Sequence, residues 1–247
     1  MRKVTLHRSL IGQGPLILVN RKHALCGTGN AELSTYDAEY PDIYLERRAA
    51  RLLSACIAEI HGGGKIVPVS GWRSHAEQQQ LWEDTLRTNG EAFTRQYVAF
   101  PGCSEHETGL AIDLGKAASD IDFIRPDFPY SGLCQTFRRA ALRYGFIERY
   151  ARDKEEITGI SHEPWHFRYV GAPHAQLMYE NRFCLEEYTE WIREKERICT
   201  LENGRTARVF YLPCTGTHTD CELPDGCCQI SGNNVDGFVV TAWGVGA

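Results

Sequence analysis

Two short stretches about fifty residues apart constrain this chain more than any other feature: SEHETGLAID over Ser104–Asp113 and EPWH over Glu163–His166. A fold that serves both must bring them together. In the first, Ala111 to Leu114 reads as the start of a half-buried strand. Alternate side chains of a strand share a face, so Ala111 and Asp113 point one way while Leu110, Ile112 and Leu114 point into a core. In the second, His166 to Val170 also reads as a strand, with Pro164 as its boundary and Glu163 in the turn that leads into it. Two imidazoles and a carboxylate, His106, His166 and Asp113, suit a catalytic zinc, because such sites keep three protein ligands and leave the fourth position to water or substrate. Glu163, free to lean over that water, suits its general base. Taken singly, each histidine is more often a hydrogen-bonded residue than a ligand. The constellation is what favours the metal.

A third stretch, SGWRSHAEQQQLW, begins at Ser70. Ser74 and Glu77 form the S-x-x-E pattern of a capping box, which predicts a helix running on through Leu86. A strand over Lys65–Val69 precedes it, so Arg73 stands at a strand-to-helix junction and projects from a fixed frame. On its own Arg73 reads as a salt-bridge partner or a solvated charge.

The motifs change that reading. SEHETGLAIDL followed by EPWH resembles the zinc D,D-peptidases of the VanX, VanY and VanXY group, whose signature is S-x-H-x-x-G-x-A-x-D and then E-x-W-H, and the similarity runs from about Leu16 to about Trp191, closest to the VanXY type. The resemblance implies His106, Asp113 and His166 as ligands of one Zn2+, Glu163 as base, and Arg73 as the cation that steadies the oxygen of the tetrahedral intermediate. It also implies substrate contacts from Gln78, five residues after Arg73, and from Ser104, which reads equally as a local turn-former. Trp165 of the second motif is assigned with them to the substrate. Tyr97 reads equally as pocket lining and as packing. The implied substrates are peptides ending in D-Ala-D-Ala, either the free dipeptide or the muramyl pentapeptide precursor, and the implied role is glycopeptide (vancomycin) resistance. A single-activity D,D-carboxypeptidase, an L-Ala-D-Glu peptidase of peptidoglycan and a zinc-bound module without catalysis are the competing readings.

Composition narrows the rest. With 247 residues, 43% hydrophobic and 24% charged, the chain has enough apolar content for one sizeable domain and an appendage. A net charge of -5 argues against a nucleic-acid partner. No apolar run reaches the eighteen residues of a membrane span. The basic start MRK is followed by interrupted apolar residues and no small-residue cleavage site, which reads as cytoplasmic, and PLILVN reads as an early strand. The ten cysteines then read as reduced thiols. A second, structural zinc on Cys199, Cys214, Cys221, Cys227 and Cys228 is disfavoured, because no C-x-x-C pair occurs.

The remaining periodicity predicts helices over Ile43–Ile60, Leu133–Tyr144, Ala172–Asn181 and Leu185–Ile198, and strands over Phe146–Tyr150, Ala207–Leu212 and Gly237–Trp243, with a turn at Gly232, Asn233 and Asn234. Polar loops over Lys116–Gly132 and Ala151–Ser161 flank the motifs, and the second is expected to set substrate size. His162, beside Glu163, reads as a bystander more readily than as support for the site. The expected fold is α+β, a small mainly antiparallel sheet flanked by helices as in the D,D-peptidase or hedgehog-like fold. Residues 1–194 form the catalytic domain and 195–247 a small Cys-rich β appendage.

Overall fold

The computed structural model describes residues 1–25 and 32–244; Cys26, the first of the ten cysteines, lies outside them. The chain runs through β1 (Arg2–His7), β2 (Leu33–Asp37), β3 (Tyr40–Glu46), α1 (Arg47–Glu59), β4 (Ile66–Ser70), α2 (His75–Asn89), α3 (Glu91–Tyr97) and β5 (Ala111–Lys116). It continues through α4 (Gly132–Arg143), β6 (Phe146–Tyr150), α5 (Glu155–Thr158), β7 (Glu163–Tyr169), α6 (Ala172–Asn181) and α7 (Leu185–Glu194). The tail adds β8 (Arg197–Thr200), β9 (Thr206–Pro213), β10 (His218–Leu223), β11 (Cys228–Gly232) and β12 (Gly237–Trp243).

The central sheet has the order β4-β5-β7-β6 and is antiparallel throughout. The period of two sorts its side chains. Ile112, Leu114, Phe167, Tyr169 and Phe146 face one core, which α1 and α4 close with Leu53, Cys56, Ile57, Phe137 and Ala141. Asp113, His166, Arg168 and Arg149 alternate with them and come to the other face. Each fully buried Leu, Ile or Phe contributes about 1.5–3 kcal/mol, so the apolar face supplies the stability and leaves the opposite face to charge. Strand β5 is buried on both faces rather than half-buried, since the first core covers Ile112 and Leu114 and the two histidines His106 and His166 lie against Asp113 on the other side.

Several expectations need correction. The helix placed over 43–60 begins at Arg47, because residues 40–46 pair with β2 in a hairpin and the Glu46 carboxylate caps the helix, accepting from Arg48 N and Ala49 N at 2.9 Å each. Pro164 is inside β7 rather than at its boundary; it falls where the β6–β7 register shifts between Glu148 and Tyr150, a place that tolerates the missing N–H. The last helix stops at Glu194, and Arg197 and Ile198 already belong to β8. The tail holds two further strands, β10 and β11, between the two expected at Ala207–Leu212 and Gly237–Trp243.

PLILVN is buried but joins no ladder beyond an isolated bridge from Asn20 to His23. Its side chains split between two cores, Ile17 and Val19 into the first, and Leu16 and Leu18 into a second built on α6, α7 and the tail sheet. Its backbone is satisfied instead by side chains and turns. Ser231 Oγ accepts from Leu16 N (2.9 Å), Asn233 O from Leu18 N (3.0 Å), and Leu18 O from Asn234 Nδ2 (3.0 Å). The tail sheet, in the order β11-β12-β9-β8, therefore grips the early chain, and β10 pairs antiparallel with β1. His174 of α6 ties the same layers, with Nδ1 2.7 Å from Tyr188 Oη and Nε2 2.9 Å from Thr241 Oγ1.

Candidate active site

Asp113 and His166 sit opposite one another in the β5–β7 ladder, which places their side chains on one face by geometry alone. His106 arrives from a 3-10 turn over Glu105–Thr108 that ends at Gly109 in the left-handed conformation (φ 72°); a Cβ there would lie 2.9 Å from Leu33 Cδ2 and 3.0 Å from Glu46 N. Gly109 is thus fixed by both backbone and space. The three candidate ligand atoms lie within 4.8 Å of one another, and this is the one such group among the described residues.

His106 Nδ1 is 2.7 Å from Gly71 O, which leaves Nε2 to face the cleft, 3.1 Å from Asp113 Oδ2. His166 Nδ1 is 2.9 Å from Asp113 Oδ1 and 3.7 Å from Glu163 Oε2. Burial, with Arg73 nearby, lowers His106 to about 4, so it is a neutral ligand at pH 7. Burial also disfavours charge on Asp113, yet the two imidazoles hold its carboxyl well below the usual range. For His166 burial works downward, but Asp113, Glu105 and Glu163 override it and raise the ring to about 9. This face of the cleft is short of positive charge, and a divalent cation between two imidazoles and a carboxylate supplies it. The residues fit a metal.

Glu163 is buried at the start of β7, and burial pushes its carboxyl up to about 8 against the pull of His166 and Arg73. Arg73 Nη1 donates to Gln78 Oε1 (2.8 Å), Nη2 lies 3.9 Å from Asp113 Oδ2, and Nε has no partner. Gln78, completely buried on α2, donates from Nε2 to Ala99 O (2.8 Å). Both ends of its amide are engaged, and it braces Arg73. The capping box at Ser74 and Glu77 fixes the start of that helix.

A single cleft joins these groups, and Arg73, Gln78, Tyr97, Ser104, His106, Asp113, Glu163, Trp165 and His166 all line it. Tyr97 does so while packed on Phe93, with ring centroids 4.9 Å apart, so the two readings of that residue hold together. Phe123 and Ile124 from the 116–132 loop and Ile160 from the 151–161 segment complete the wall. His162 points elsewhere, 2.7 Å from Tyr130 Oη, and does not complete a fourth ligand position.

Glu105 is the residue that sequence reasoning passed over. It is completely buried; Arg149 Nε donates to Oε1 (2.8 Å), Arg168 Nη1 lies at 2.8 Å from the same oxygen, and Oε2 faces His166 Nε2 at 3.5 Å. The available signal was Arg168, a charge set between Phe167 and Tyr169 in a buried strand, which needs a buried partner.

A buried His-Asp-His triad with a carboxylate and a guanidinium over it, at the floor of a cleft on an antiparallel sheet, defines a hydrolase of the metallopeptidase class. The family model described as VanY, D-alanyl-D-alanine carboxypeptidase, matches residues 42–172, and the chain belongs to that family. It is 46% identical over 157 residues to the bifunctional D-Ala-D-Ala dipeptidase and D-Ala-D-Ala carboxypeptidase VanXYC of Enterococcus gallinarum, covering 63% of this chain and 83% of that one. Among solved structures it is similar to the vancomycin resistance D,D-dipeptidase VanXYg in complex with a D-Ala-D-Ala phosphinate analogue, with 50% identity, a TM-score of 0.95 and 98% of each chain covered. A mutant of the D,D-pentapeptidase VanY in complex with Zn(II) matches at 31% identity and a TM-score of 0.59, covering 71% of this chain and 98% of that one.

Proposed function

We propose that the chain is a zinc-dependent D,D-dipeptidase and D,D-carboxypeptidase, which hydrolyses D-Ala-D-Ala and removes the terminal D-Ala from longer peptides, the muramyl pentapeptide precursor included, with the effect of glycopeptide resistance. The observation that carries this reading is the joint placement of Glu163 and Arg73 over the His106, Asp113 and His166 cluster in one cleft. The VanXYC relative carries both activities in its name, and the Zn(II) complex of a family member supports the metal.

His106 through Nε2, His166 through Nδ1 and Asp113 through a carboxylate oxygen would hold Zn2+, which when bound supplies an acidified water and Lewis-acid polarisation of the scissile carbonyl. The chain's own residues do the rest. Glu163 takes the proton from the attacking water and returns it to the departing amine, a task suited to a carboxyl raised toward neutrality by burial. Arg73, held by Gln78, keeps Nε free to donate to the developing oxyanion in a site shielded from bulk water. Ser104, Tyr97 and Trp165 bound the substrate, and Phe123, Ile124 and Ile160 flank its path.

Every residue named in this scheme lies between positions 73 and 166. That supports catalysis within residues 1–194, with 195–247 as an appendage that holds the early chain. Among the described residues no helix is long and apolar enough to cross a membrane, and a cytoplasmic location, where the precursor peptides are made, is part of the proposal.

The test is D-alanine release from D-Ala-D-Ala and from the muramyl pentapeptide, side by side, with chelator and Glu163→Ala controls. Release from both is expected. Release from one alone reduces the claim to a single activity, and release from neither by the zinc-loaded protein overturns it.

A further inference from the structure

The charged groups beneath the cleft are a closed set. Arg149 sends Nε to Glu105 Oε1 (2.8 Å) and its two terminal nitrogens to Glu186 (2.9 and 2.7 Å), while Asn20 Nδ2 donates to Glu186 Oε1 (3.1 Å). Arg168 lies against Glu105 Oε1 (2.8 Å) and donates to Pro15 O (3.0 Å) and Ile17 O (2.9 Å). Two arginines answer two carboxylates, and Glu105, Arg149 and Arg168 are completely shielded from solvent. Buried ion networks of this kind are often no more stabilising than apolar replacements of the same volume. Stability is a weak reason for this one, and its end point suggests a better reason.

That end point is the oxygen the arginines do not use. Glu105 Oε2 and His166 Nε2 face each other at 3.5 Å, and neither has a hydrogen-bond partner elsewhere. An ionised carboxylate can only accept. Both ring nitrogens of His166 face carboxylates, Nε2 that of Glu105 and Nδ1 those of Asp113 (2.9 Å) and, farther off, Glu163 (3.7 Å); a cation held by Asp113 would take the place of the proton on Nδ1, and Glu105 is then the carboxylate left to keep the ring proton on Nε2. We propose that Glu105 is a positioning residue, which fixes His166 in the Nε2–H form and so presents Nδ1 to the metal. One 3-10 turn thereby supplies a ligand, His106, and the orienting partner of a second ligand from another strand. The inference rests on the metal reading of the site.

Glu105→Gln separates positioning from bulk. The shape is kept, but Arg149 and Arg168 hold the amide oxygen at the Oε1 position, which turns the NH2 toward His166 Nε2. That nitrogen must then accept, the proton moves to Nδ1, and the ligand atom is lost. Zinc affinity, measured by chelator competition on protein whose circular dichroism and melting match the wild type, is expected to fall about 10–100-fold. Imidazole 15N spectra of the zinc-loaded wild type give a readout independent of any variant: His166 is expected to carry zinc on Nδ1 and a proton on Nε2. Zinc on Nε2, or unchanged affinity in Glu105→Gln, overturns the proposal and leaves the metal reading intact. Failure of the wild type to bind zinc overturns both.

Discussion

Asp113 and His166 are cross-strand partners in the β5–β7 ladder, and their side chains meet at 2.9 Å. Two of the three candidate ligands are thus fixed by backbone hydrogen bonding within the central sheet, and flexible loops have no part in placing them. Asp113→Ala should leave the ladder in place and remove the carboxylate. Zinc affinity is expected to fall by more than the about 100-fold typical of losing a ligand's supporting partner, as read by metal analysis after dialysis. Stoichiometric zinc in this variant would exclude Asp113 as a ligand.

In the proposed scheme Glu163 takes the proton and the metal is left to His106, Asp113 and His166, so the two roles can be divided by substitution. Glu163→Gln is expected to bind zinc as the wild type does while kcat falls on the order of 10²–10⁴-fold. Parallel metal analysis and D-alanine release decide it, and a variant that keeps its rate removes Glu163 from the mechanism.

Arg73 is held by Gln78, so the two should fail in graded order. Arg73→Ala is expected to lower kcat by about 10²–10³-fold with KM changed much less, the pattern of a contact formed only in the transition state. Gln78→Leu should lower kcat by a smaller factor in the same sense. Equal losses in KM alone for both would assign them to ground-state binding.

His174 gives a pH prediction away from the metal. Burial lowers its pKa to about 3, against about 6.5 in the unfolded chain. Between these values the unfolded state binds a proton that the folded state does not, so stability is lost as pH falls below 6.5 and is fully restored above it. Urea unfolding at pH 7 and pH 5 should show the wild type losing about 2 kcal/mol more than His174→Gln over that interval. Parallel slopes for the two proteins would show that His174 is protonated in the fold.

Much of the site was legible because its residues obey short-range rules. Strand alternation put Asp113 opposite the core face of Ile112, and the Ser74–Glu77 box located the helix that carries Gln78. What was not legible depends on partners distant in sequence. Ile43 and Leu45 fit a helical period as well as a strand period, and the hairpin with β2 decided between them. Leu16 to Val19 reads as a strand in isolation, but its backbone partners are Ser231, Asn233 and Asn234, some 215 positions away. Glu105 carries no local signal of its own, because the arginines that bury it come from β6 and β7.

The clasp between residues 16–18 and 231–234 bears on the order of assembly during synthesis. Arg168 leans on the carbonyls of Pro15 and Ile17, and that segment is held by Ser231, Asn233 and Asn234, which are translated some 215 positions later. Leu16 and Leu18 must therefore wait for those later residues before their backbone groups are paired. A ribosome stalled before position 231 would display all three candidate ligands on a support still lacking that brace.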